Sequence, residues 1–130
     1  MSLLQWLLVA IGGASGALFR CWVGLLSIKR WGLSLPIGTL IVNVLGSFLI
    51  GFTATFIAFR FHNNVERDMG SLLIVGFLGA FTTFSSFSLE TLRLFERGDA
   101  AFAAINVMLN IALCLFAVMI GQLVAKFICG

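Results

Sequence analysis

The residues best suited to chemistry stand together between Gly76 and Glu90, in the run Gly-Phe-Leu-Gly-Ala-Phe-Thr-Thr-Phe-Ser-Ser-Phe-Ser-Leu-Glu. Five hydroxyls, from Thr82, Thr83, Ser85, Ser86 and Ser88, fall within seven residues. Three phenyl rings, Phe81, Phe84 and Phe87, recur at every third position, and the carboxylate of Glu90 closes the run. Phenyl rings are negative on the face and positive at the edge. Ring edges can therefore border an anion's path without supplying a trapping charge. The run lies within an apolar stretch of membrane-spanning length. In hydrocarbon, non-helical backbone and clustered polar groups survive only against protein or a watery cavity. Gly76 and Gly79 weaken the helix here; with the Thr82-Thr83 pair they point to a broken helix, which exposes carbonyl oxygens that can hold a small cation. The stretch reads as an interrupted helix that lines a path or binds an ion. Against this stands a bland alternative for the rings, a Phe-rich packing surface, in a chain with 14 phenylalanines.

Other polar residues are few. Arg20 shares one helical face with Gly12 and Gly16, at i, i+4 and i+8. A cation inside a span is costly and by default a functional residue. Two roles suit it: facing an anion in a vestibule, or snorkelling to the interface or into a structural ion pair. Asn43 is the strongly polar group in the middle of the second apolar run, near one face with Thr39, Gly46, Ser47 and Gly51. Its amide suits an interhelical hydrogen bond and a path-facing donor equally. Asn106, Asn110 and Cys114 repeat at i, i+4 and i+8 in the fourth run, as a polar track or a helix seam. Glu90 can pair with Arg20 or Arg93, cap a polar network, or sit near an interface. His62 stands alone, and Cys21, Cys114 and Cys129 lack metal-ligand spacing. With no Ser/His/Asp set, metal cluster or phosphate loop, an enzyme is not expected.

The elements that must position these groups follow from composition. Of 130 residues, 61% are hydrophobic, and the mean hydropathy is +1.13. A soluble domain holds about 45–50% apolar residues, so the chain reads as an all-α membrane protein with one domain over residues 1–130. Four apolar runs, Leu3–Ile28, Ile37–Phe61, Met69–Leu94 and Ala100–Phe127, each reach the ~20 residues that cross a bilayer. The links Lys29–Pro36, His62–Asp68 and Phe95–Asp99 are short, and the middle one reads as a solvated turn. The first run lacks a basic start and is too long for a cleaved leader. The net charge of +3 is scattered, which argues against a nucleic-acid surface. Lys and Arg divide almost evenly across the membrane: Arg60, Arg67 and Lys126 on one side, Lys29, Arg30, Arg93 and Arg97 on the other. Orientation is set by an excess of these residues on one side. Without one the chain can insert either way, and an antiparallel dual-topology homodimer becomes attractive. Four short spans are also a thin wall for a pore.

Three motifs, Gly12-Gly-x-x-Gly16-x-x-x-Arg20, Gly38-Thr-Leu-x-x-Asn43 and Gly76-Phe-x-Gly-x-x-Thr-Thr-Phe-Ser-x-Phe-Ser-x-Glu90, together resemble the Fluc (CrcB) fluoride channels. The likeness covers nearly the whole chain. The Thr-Thr-Phe-Ser-x-Phe-Ser run is its specific part. The resemblance implies a dual-topology homodimer with two oppositely assembled pores, passing fluoride passively and rejecting chloride. It implies that Phe84 and Phe87 line the pore with Asn43, and that Ser85 and Ser86 supply hydroxyls beside the rings. It places Arg20 in a vestibule, and a structural sodium ion at the dimer interface on the backbone carbonyls of Gly79 and Thr82. Relatives often have Thr at the position of Ser86, which keeps the hydroxyl. They also carry a Ser/Thr ladder where this chain has Cys114 and Val118, with Asn106 and Asn110 able to replace part of it.

Physical logic runs the same way. Fluoride is small and holds water tightly, so its path must offer hydrogen-bond donors, for which Asn43, Ser85, Ser86 and Asn110 are suited. Neutral donors bind weakly enough to release the ion. The expectation is a fluoride-selective export channel of the cell (inner or plasma) membrane, in contact with lipid, fluoride and sodium. HF would enter from acidic surroundings and ionise inside, and fluoride would leave down its gradient. One rival is a small proton-coupled multidrug exporter, which needs an intramembrane carboxylate; only Glu90 qualifies, near the end of its span. Another is an accessory subunit without flux of its own, whose polar residues would be confined to seams.

Overall fold

The computed structural model describes residues 1–130, and regular structure in it is entirely helical: α1 (Leu3–Trp31), α2 (Ile37–Arg60), α3 (Asn63–Met69), a π-helix (Gly70–Leu78), α4 (Gly79–Phe81), α5 (Phe84–Glu96) and α6 (Ala100–Cys129). Four stretches are long and apolar enough to cross a membrane: α1, α2, the composite Asn63–Glu96 and α6. Even α2, with 24 residues, extends roughly 36 Å at about 1.5 Å per residue.

Local chemistry sets the ends. Ser2 and Gln5 form a reciprocal capping box at the start of α1, with Gln5 N–H donating to Ser2 Oγ (3.2 Å) and Ser2 N–H to Gln5 Oε1 (3.0 Å). The same Gln5 donates through Nε2 to Asp68 Oδ1 at 3.2 Å, which ties α1 to α3. Between α5 and α6 the chain reverses through Gly98, whose φ of +85° suits a residue without a Cβ.

One expectation about the third span is corrected. The segment His62–Asp68 is not a turn: only Phe61 and His62 lie outside helices, and α3 begins at Asn63. Its polar residues Asn63–Arg67 are exposed, so the span starts as a solvated helical turn, with Glu66 near the positive N-terminal end. The interruption falls within the stretch expected to carry it, at its threonine pair. Gly76 sits in the π-helix and Gly79 opens α4, while the backbone breaks at Thr82 (φ −82°, ψ 157°) and Thr83 (φ −152°, ψ 109°). β-Branched residues favour extended backbone. Thr83 also caps α5, its Oγ1 accepting from the Ser86 N–H at 3.1 Å.

Glycines serve packing instead. α1 lies on the π-helix so closely that a Cβ on Gly12 would collide with the Leu72 carbonyl oxygen, and one on Gly16 with that of Phe77. From the other side, a Cβ on Gly76 would stand 2.9 Å from the Val9 oxygen. α2 lies along α6 in the same way, with Gly51 against the Val118 carbonyl and Gly121 against that of Phe48. Small residues let membrane helices approach backbone to backbone. Little is fully enclosed; Leu94 and Val42 are the largest such side chains. The many exposed Leu, Ile, Phe and Met side chains suit a surface solvated by lipid.

Candidate functional site at the helix break

Breaking a helix orphans backbone donors and acceptors that membrane interiors cannot solvate. At Thr83 both backbone groups find one partner, the side chain of Asn43 on α2. Asn43 Oδ1 accepts the Thr83 N–H at 2.8 Å, and Asn43 Nδ2 donates to the Thr83 carbonyl at 3.2 Å. A side-chain amide thus stands in for the missing helical turn. The second Nδ2 proton goes to Asn110 Oδ1 on α6, at 3.1 Å. From Asn110, Nδ2 donates to the Asn106 carbonyl (3.0 Å) and to Asn106 Oδ1 (3.1 Å). Asn106 Nδ2 donates to Thr91 Oγ1 at 2.9 Å, and the Thr91 hydroxyl donates to the Phe87 carbonyl at 2.7 Å. The Thr83 hydroxyl meets those of Ser86 (3.1 Å) and Ser85 (3.3 Å).

Beside this network lies a cavity of about 430 Å³, lined by Asn43, Gly46, Ser47, Ile50, Thr82, Thr83, Phe84, Phe87, Asn110, Ile111, Cys114 and Leu115. Two of its lining side chains form a ring pair. Phe84 and Phe87 have centroids 5.2 Å apart and planes tilted by 57°. Phe87 is 7% exposed, Phe84 78%. One ring is thus built into the protomer and the other stands free of it.

The structure brings Phe84, Phe87, Asn43 and Asn110 to one cavity, with Ser85 and Ser86 linked to it through Thr83. Arg20 is half-buried on α1 and lines none of the cavities described here. Gly79 is exposed and Thr82 half-buried, on either side of the end of α4. With Thr82 and Thr83 extended, the last carbonyls of α4 have no following turn to pair with. Such neutral oxygen ligands fit a small hard cation. The Thr82 hydroxyl donates to the Leu78 carbonyl at 3.0 Å.

Glu90 lies apart from the ring pair. Its Oε1 accepts from the Thr39 hydroxyl at 2.8 Å, whereas Oε2 is buried without a hydrogen-bond partner. Both residues line a second cavity of about 490 Å³ at the α1–α2 connection, together with Ser27, Arg93, Glu96 and Arg97. Of the partners considered for Glu90, neither arginine donates a hydrogen bond to it; a threonine does. Thr91 is a site component that motif reading passes over. Asn106 carries a visible signal in its i, i+4 spacing from Asn110, but Thr91 carries none.

Comparison with known proteins places the chain. Residues 7–122 match the model of a family described as CrcB-like protein, Camphor Resistance (CrcB). A Shewanella protein (strain ANA-3) named "Fluoride-specific ion channel FluC" is 50% identical over 116 residues, covering 89% of this chain and 91% of that one. A protein of the same name from Rhizobium leguminosarum bv. trifolii (strain WSM2304) is 48% identical over 124 residues, covering 95% of this chain and 98% of that one. With most of its length matched at about half identity, this multi-pass membrane protein belongs to the CrcB-like family.

Proposed function

We propose that this chain is a fluoride-selective channel that lets cytoplasmic fluoride leave passively, and so protects the cell from it. The observation that carries the reading is that relatives matching it over about nine-tenths of their length or more at roughly half identity bear the name of a fluoride-specific ion channel. The site's chemistry suits that ion. Fluoride gives up tightly held water only where donors replace it, and Asn43, Asn110 and the hydroxyls of Ser85 and Ser86 cluster beside two phenyl rings. All are neutral, so they can admit an anion without trapping it. Arg20 raises the local anion concentration from a vestibule. Neither the proton-coupled exporter nor the accessory subunit finds support in these relatives.

The channel acts as an antiparallel homodimer inserted in both orientations. Supporting this, the protomer leaves Phe84, Ser85, Ser88 and Gly79 exposed within a membrane span. Polar backbone and hydroxyls facing lipid are costly, and a second copy would cover them. The nearly even division of Lys and Arg agrees. At that interface the carbonyls of Gly79 and Thr82 would hold a sodium ion, which would supply fixed positive charge that neutralises carbonyl repulsion and ties the copies together. Replacing sodium by a large organic cation should dissociate the dimer; unchanged association on a sizing column would remove the sodium assignment.

The deciding experiment is fluoride efflux from liposomes holding the purified protein, read with a fluoride electrode. Fast, valinomycin-dependent efflux that excludes chloride is expected. Silence from folded, dimeric protein would overturn the channel reading.

A further inference from the structure

From the Thr83 N–H to the Phe87 carbonyl, a series of hydrogen bonds across the break runs in one direction. Thr91 has a single hydroxyl proton, and it is committed to the Phe87 carbonyl over 2.7 Å. Toward Asn106, Thr91 can therefore only accept. This forces the NH₂ of Asn106 toward Thr91 and its Oδ1 toward Asn110. Asn110 must then turn its own NH₂ toward Asn106, where both protons are used, and present Oδ1 to Asn43. Asn43 answers with Nδ2. At the far end the Thr83 N–H independently requires Oδ1 of Asn43 to face it, at 2.8 Å. A backbone donor at one end and a backbone acceptor at the other thus fix the orientation of three side-chain amides in series. Asn106 and Asn110 are 6% and 5% exposed, so water does not offer an easy substitute partner.

We propose that Asn106 and Thr91 are positioning residues of the anion path: through Asn110 they hold the Nδ2 end of the Asn43 amide, whose Oδ1 end the Thr83 N–H already fixes. The inference rests on the channel reading for its functional consequence, though not for its geometry. Both Nδ2 protons of Asn43 are already engaged, one with Asn110 and one with the Thr83 carbonyl. The bond to Thr83, at 3.2 Å, is the longest of the three that Asn43 makes, and Thr83 lines the cavity. An entering fluoride takes that proton in place of the carbonyl, while the bond to Asn110 keeps the amide from turning. If the series loses its outer end, Asn106 is free to turn, and Asn110 keeps only the Asn106 backbone carbonyl as acceptor for its NH₂. The carbonyl oxygen of Asn110 then holds the Asn43 NH₂ less firmly, and the donor meets the anion in a less defined position.

Two measurements test this on the intact protein. In the first, side-chain ¹⁵N–¹H resonances of Asn43 and Asn110 are recorded for the wild type, Thr91→Val and Thr91→Ser. Thr91→Val removes the hydroxyl with little change of shape, and it should shift or double the Asn43 signals although Thr91 does not touch Asn43. Thr91→Ser keeps the hydroxyl and should restore them. In the second, fluoride efflux is measured against fluoride concentration and normalised to folded protein. Thr91→Val and Asn106→Leu should each raise the half-saturating concentration about fivefold, the scale of one lost neutral hydrogen bond. The double variant should be no worse than either single one, because both cut the same series. A purely structural role would lower the yield of folded protein without moving half-saturation. Unchanged Asn43 resonances in Thr91→Val overturn the series itself. Thr91→Ser behaving like Thr91→Val, or effects that multiply in the double variant, overturn the positioning role. A wild type without efflux would instead refute the channel reading, and the resonances would still decide the geometry.

Discussion

Two of the third span's neighbours, α1 and α2, solve their contact with it differently. On its first half, α1 presents glycines. No side chain intervenes at Gly12 and Gly16, and backbone rests on backbone. At the break, α2 presents an amide. Asn43 fills the gap and supplies the hydrogen bonds that the interrupted helix lacks. The first contact is backbone on backbone and intolerant of added volume. The second tolerates polarity because each donor in it has been matched to an acceptor. A helix inside a membrane can therefore be held by shape where its own hydrogen bonds are intact, but must be held by chemistry where they are not. The face that needs chemistry is also the face with the cavity and the rings.

The largest effect should come from adding volume on the glycine side. Gly16→Leu places its first carbon against the Phe77 carbonyl, and a backbone atom cannot swing aside. Folded protein should be lost from the membrane fraction, by more than the ~1–3 kcal/mol typical of ordinary overpacking. Gly24→Ala on the same helix is the internal control. Nothing lies within 4 Å of a Cβ there, and its yield should match the wild type. Equal yields for the two variants would break the comparison.

Changing the sign of one group at the break should rank second. Asn43→Asp keeps the size and the acceptor for the Thr83 N–H, but faces two acceptors, the Thr83 carbonyl and Asn110 Oδ1, with an oxygen. Each unsatisfied buried partner costs about 1–3 kcal/mol. Fluoride efflux should fall by about two orders of magnitude, with assembly less affected than in Gly16→Leu. Phe84→Ile tests the same site from the ring side. Its ring is free of the protomer, so efflux should drop while the melting temperature moves little. Near-normal efflux in both variants would remove these residues from the path.

How far the chain could be read without coordinates follows the same division. The four spans were legible because apolar length is a property of consecutive residues. The glycine seam of α1 was legible because i, i+4 spacing maps directly onto a helix face. The break falls inside the stretch read as interrupted, at its threonine pair. Of the two glycines there, Gly76 packs against α1, and Thr82 and Thr83 take the extended backbone. Charged residues in His62–Asp68 suggested a turn, although an exposed helical turn accepts them equally well. Asn43 and Asn110 stood out as isolated amides in apolar runs. That they touch, and that Thr91 anchors Asn106, depends on how three helices meet, and no local pattern records it.

The smallest predicted effect concerns the position where the chain departs from its expected ladder. Cys114 lies one helical turn beyond Asn110 on α6 and lines the same cavity, facing the region of Asn43, Ser47 and Phe87. A thiol is a weak donor, whereas a serine hydroxyl of nearly the same size is a strong one. Every Nδ2 proton of Asn43 and Asn110 is already engaged within the protomer. The ion leaving Asn43 therefore meets few free donors, and the thiol is among the weaker. Cys114→Ser should raise fluoride efflux about two- to threefold, less than the full effect of one neutral hydrogen bond. Cys114→Val, equally small but without any donor, should lower it. The pair separates donor strength from volume: if Ser and Val shift efflux in the same direction, size rather than hydrogen bonding governs that part of the cavity. The network at the break would then end at Asn110, and the wall beyond it would follow the packing rules of the glycine seam.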